Sequence, residues 1–119
     1  SADHRLAGKE RLSISDLYGE NFLMMHRGWS NYVDELRDDI WKNHPQIHIT
    51  DFDNYNVDIF NRCENGRDVL MVVEIWKDVH PLLKVIPVQW NYTIPYGILY
   101  STEPSDLVSQ FLKALKKAL

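Results

Sequence analysis

The chain has 119 residues, 45% of them hydrophobic, and a formal net charge of −4. That length fits one small domain with a real core, and the acidic balance argues against a nucleic-acid surface, which needs clustered Lys and Arg. One cysteine excludes an internal disulfide framework and fits a reducing, cytoplasmic compartment. No apolar run reaches membrane-spanning length and no signal peptide is present. Beginning at Ser1 without Met, the sequence reads as an excised piece of something longer.

Ser1 to Arg11 is polar and reads as a loose lead-in. Ser13 to Tyr18 carries cap-type residues for one helical turn, stopped near Gly19. Asn21-Phe22-Leu23-Met24-Met25 is a continuous apolar run, the pattern of a strand buried on both faces. After the break at His26 to Ser30, Trp29, Val33, Leu36 and Ile40 recur at helical spacing, with acidic and basic residues opposite. Asn43-His44-Pro45 ends that helix, because the residue before proline avoids helical backbone.

Gln46 to Asp51 alternates and is β-branched, so a second strand is expected there. Asn54 or Asn56 can cap the next, short helix, whose inward face is expected at Val57, Phe60 and Cys63. Asn65-Gly66 suits a left-handed stop. Val69 to Val73 reads as a third strand, and Ile75 to His80 as a helical turn before Pro81. Val85 to Val88 and Ile94 to Tyr100 read as two more β-type runs. Ser105 caps a terminal amphipathic helix with Asp106 in its first turn and Lys113, Lys116 and Lys117 near its end. Val108, Phe111, Leu112, Leu115 and Leu119 form its apolar stripe, so this helix must bury a face. Strands alternating with helices point to an α/β fold: a mostly parallel sheet with helices on both faces, a three-layer arrangement.

Ligands of such sheets sit beyond the carboxyl ends of the strands. Two loops qualify: His26-Arg27-Gly28-Trp29-Ser30 and Asn54-Tyr55-Asn56. Free N–H groups at a helix start favour an anion, and Arg27 offers a bidentate partner for a carboxylate. The second loop brings amides and a phenol.

Metal sites fare worse. Asp51-Phe52-Asp53-Asn54 hints at a calcium loop, but Asn56 stands where glycine is required and Arg62 where glutamate belongs. Pro45 denies His44 and His48 a shared helix face. Cys63 beside His26 or His80 would suggest a thiol nucleophile, yet it lies on an apolar stripe and reads as a small buried hydrophobe. Asn91-Tyr92-Thr93 is a glycosylation sequon by spelling only. No phosphate loop, nucleophile elbow or dinucleotide fingerprint occurs, and no cofactor or catalytic residue is expected.

Val85-Ile86-Pro87-Val88, then Ile94 to Ser101, then Pro104-Ser105 with Phe111-Leu112 resembles the carboxyl-terminal end of LysR-type transcriptional regulators. Asp3 to Gly8 and Ser15 to Gly19 resemble that family's approach to its second lobe. The resemblance implies one lobe of a two-lobe, periplasmic-binding-protein-like effector domain. Residues 1–12 would be a hinge lead-in, 13–93 the second lobe, and 94–119 a returning hinge strand and terminal helix. It implies a small-molecule effector held by Arg27, Gly28, Trp29, Ser30, Asn54, Tyr55 and Asn56, and contact with DNA only through a separate domain. The terminal helix would either fold back or associate between chains. Glu74 stands where the family usually has proline, and reads as solvated. A small flavodoxin- or thioredoxin-like enzyme and a solute-binding protein of a transport system are the alternatives.

Overall fold

The computed structural model describes residues 1–119. Three parallel strands make one sheet: β1 (Asn21–Met25), β2 (His48–Phe52) and β3 (Asp68–Leu70), in the order β2-β1-β3. Three helices accompany them: α1 (Asn31–Asn43), α2 (Val57–Arg62) and α3 (Asp106–Ala118). The protein is therefore a mixed α/β chain with a small parallel sheet.

β1 is central because Phe22 to Met25 are apolar and buried on both sides of the sheet. Its register sets Phe22 opposite Ile49 and Val69, and Leu23 opposite Thr50 and Leu70. Successive strand residues point to opposite sides, and two clusters result. Phe22 and Met24 pack with Val33, Leu36 and Ile40 of α1; Leu23 and Met25 pack with Phe52 and with Ile59, Phe60 and Cys63. From the middle of β2 to the amino ends of β1 and β3 a polar chain crosses the sheet. Thr50 Oγ1 donates to Asn21 Oδ1 at 2.7 Å, Asn21 Nδ2 donates to Asp68, and Arg62 Nε donates to Asp68 at 3.0 Å. Burial pushes the Asp68 carboxyl up, but the bonds from Asn21 and Arg62 outweigh it and hold the group below the ordinary carboxylate range.

Several expectations need correction. The lead-in is not loose. Leu6 and Leu12 belong to the core, and His4 and Arg5 both grip the buried Glu20 carboxylate. Leu12 also donates its N–H to Pro87 O and accepts from Gln89 N–H, a single parallel bridge to Val88. On α2, Val57 is exposed and Ile59 is buried in its place, because the position just after the Asn56 cap turns to solvent. β3 has three residues where five were expected. Neither Val85–Val88 nor Ile94–Tyr100 forms a strand: the first has only the single bridge at Val88 and the second pairs with nothing, and a β-type run becomes a strand only beside a partner. No residue of α3 is buried, although Ser105 Oγ caps it by accepting from Val108 N–H. Gly66 ends the short turn after α2 at φ 72°, the left-handed stop its sequence suggested.

Candidate functional site

The β1–α1 and β2–α2 connections both leave the carboxyl ends of adjacent parallel strands, so the sheet topology carries the two candidate loops to one edge. They touch there. The Trp29 and Tyr55 rings lie 6.4 Å apart, edge to face. Tyr55 is the hub: Phe52 sits at 4.8 Å, Phe60 at 6.4 Å and Trp76 at 4.5 Å. The Phe60 ring is stacked and the others meet Tyr55 edge to face; aromatic pairs of either kind each add about 0.5–1.5 kcal/mol beyond area burial. The Tyr55 hydroxyl donates to Met71 O at 2.6 Å, tying the β2 loop to the end of β3. Burial pushes its phenol up to about 12. Trp29 is 44% exposed, so part of it is open to solvent.

The anion-binding features are already engaged. Arg27 Nη2 donates to Asp38, and that bond raises the guanidinium pKa further, with Asp34 and Asp51 adding to it. Gly28 N–H donates to the Asp34 carboxylate at 3.1 Å, so the carboxylate takes the place an incoming anion would occupy. Gly28 holds φ at 89°, a conformation that favours glycine. Ser30 occupies the N-cap position of α1 without a side-chain cap bond. Asn56 Oδ1 accepts from Ile59 N–H at 3.0 Å and is used by α2, whereas Asn54 is exposed. Of the seven residues, then, Trp29 and Tyr55 meet, Arg27 and Gly28 carry acidic partners, and Asn56 is structural.

Trp76, Asp34 and Asp38 join this edge without having been singled out. Trp76 ends the short 3-10 turn Glu74–Trp76 in the connection that leaves the carboxyl end of β3, and that placement is a signal that could have found it. Glu74 is exposed, in keeping with a solvated residue. Cys63 is buried, donates to Ile59 O at 3.3 Å and has its thiol pushed up to about 11 by burial, which suits packing better than nucleophilic attack. The His44 ring is 2.8 Å from the Tyr18 hydroxyl, and no three His, Cys, Asp or Glu side chains gather as a metal-binding group. No helix is long and apolar enough to cross a membrane. No protein-family model, curated protein or solved structure matches this chain.

Proposed function

We propose that this chain is the effector-sensing second lobe of a LysR-type transcriptional regulator, working in a reducing cytoplasm and acting on DNA only through a separate domain. The observation that carries the reading is the meeting of Trp29 and Tyr55, from two loops far apart in sequence, at the carboxyl edge of a β2-β1-β3 parallel sheet. The alternation of Phe22 and Met24 with Leu23 and Met25 between two clusters supports a three-layer, periplasmic-binding-protein-like lobe. Its ligand would be a small molecule with a flat apolar part for the exposed part of Trp29. A carboxylate on it would replace Asp38 as the partner of Arg27. The effector must bind one lobe arrangement more tightly than another to shift it. One lobe supplies half the contacts, so the isolated chain binds weakly and performs no chemistry.

Benzoate, an aromatic carboxylate, tests this by heteronuclear NMR. Millimolar benzoate is expected to shift the Gly28 amide, the Trp29 indole and the Tyr55 amide, and to lose that effect in Trp29→Ala. Absence of any shift at either loop overturns the site, and micromolar affinity for the isolated chain overturns its being half of one.

A further inference from the structure

A cavity of about 130 Å³ lies against β3, an edge strand of the sheet. Val69 and Val72 line it from β3 and its continuation, and Leu83, Val85 and Ile86 from the segment that follows Pro81. Its lining is predominantly hydrophobic. Apolar cavities of roughly 150 Å³ accept a molecule of about six carbons, such as benzene. An occupant of this one is therefore small and apolar over most of its surface.

The polar part of the lining selects the other end of that occupant. Its charged and imidazole side chains are His4, Asp68, Lys77, His80 and Lys84. Three of them are engaged. Asp68 accepts from Asn21 and Arg62. His4 Nε2 lies 3.0 Å from Glu20, and its Nδ1 accepts the Leu6 N–H. His80 Nε2 lies 3.1 Å from Glu64. The two lysines have no carboxylate partner. Lys84 Nζ donates to Ala7 O at 2.6 Å, and Ala7 also lines the cavity, which fixes that ammonium at the cavity wall. An ammonium has three N–H donors, so two remain for an anion. A carboxylate meeting them makes charge-assisted hydrogen bonds, about twice as strong as neutral ones. Inorganic phosphate has no apolar body to fill the rest of the space, and an amine would face two cations.

We propose that this cavity binds a short-chain fatty acid of about six carbons, its tail among Val69, Val72, Val85 and Ile86 and its carboxylate on Lys84. Lys77 adds to the positive field at the same lining. The site does not rest on the effector reading, since no residue of the two candidate loops lines it. One contact joins the two places: Trp76 lines the cavity and meets Tyr55 at 4.5 Å. Reporters are therefore taken away from that pair.

Hexanoate titrated into the full 119-residue chain tests it by methyl and amide NMR. At about 1 mM hexanoate the methyls of Val72, Val85 and Ile86 should shift and saturate, while the Gly28 amide stays in place. Hexanol, with the same tail and no charge, should bind more weakly at the same methyls. Lys84→Met should weaken hexanoate by roughly tenfold and leave hexanol unchanged. Val72→Phe, which fills the space, should abolish binding of both while the melting temperature holds; if that variant melts early, the Lys84→Met comparison decides. The proposal is overturned if hexanoate shifts none of these methyls. Shifts centred on Gly28, or on the exposed Leu99 and Phe111, also overturn it. So does undiminished hexanoate affinity in Lys84→Met, or an equal loss of hexanol and hexanoate there.

Discussion

Residues 21–76 and residues 94–119 carry apolar patterns of comparable strength, and the structure treats them in opposite ways. The first stretch buries Leu23, Met24, Met25 and Ile40 almost completely. The second leaves Tyr96, Leu99, Leu107 and Phe111 exposed and buries nothing. The difference is not propensity, since α3 is well capped and as long as α1. It lies in partners: β1 has strands on both sides and apolar clusters on both faces, whereas the tail touches the core at Ile94 and reaches full burial nowhere. An amphipathic pattern states that a face must be covered, not what covers it.

The contrast can be broken by substitution. Leu23→Ala should cost about 2–5 kcal/mol, because it removes a fully buried side chain from the middle of the sheet; urea unfolding followed by far-UV circular dichroism measures it. Asp68→Ala should cost about 1–3 kcal/mol, since Asn21 loses its acceptor and Arg62 its partner. The same variant reports on acid stability. A lowered folded-state pKa contributes stability above the unfolded carboxylate pKa, and that contribution disappears as pH falls through the lowered value. Asp68→Ala should therefore show a shallower loss of stability in acid than the parent.

Tyr55→Phe should cost about 1 kcal/mol by removing the bond to Met71 O. The raised phenol pKa adds a sign. Its contribution is intact below pH ~10, the unfolded value, and is lost as pH rises toward about 12; Tyr55→Phe should flatten that decline in alkaline thermal melts. Smallest of all, Leu107→Ser should move the urea midpoint by less than about 0.5 kcal/mol equivalent, because its side chain is already in water. A cost above 1 kcal/mol there would show that α3 packs on its own body.

What the sequence made legible follows the same division. β1 could be placed to the residue because four consecutive apolar side chains, Phe22 to Met25, fit a strand buried on both faces. The Gly66 stop is local chemistry and was equally readable, while the cap of α2 was readable only as Asn54 or Asn56, of which Asn56 makes the bond. The meeting of Trp29 with Tyr55 was readable through topology, since parallel strands send their following loops to one edge. The engagement of Gly28 by Asp34 and of Arg27 by Asp38 was not, because it depends on how far each carboxylate reaches back from α1. Val85–Val88 looked like a strand for the right local reasons and finds only one pairing residue, Leu12, through the single bridge at Val88. The lead-in looked loose because its two core anchors, Leu6 and Leu12, are separated by polar residues that hide them.

Leu12 has a further consequence for how the molecule opens. Its N–H and C=O are both spent on the segment around Val88, which lies far along the sequence. Such a clasp joins distant parts of the chain and forms late, after the local strand–helix–strand units have assembled. It should also release first. Amide protons of Leu12 and Gln89 are expected to exchange with solvent together, in one concerted unlatching that leaves Met24 protected.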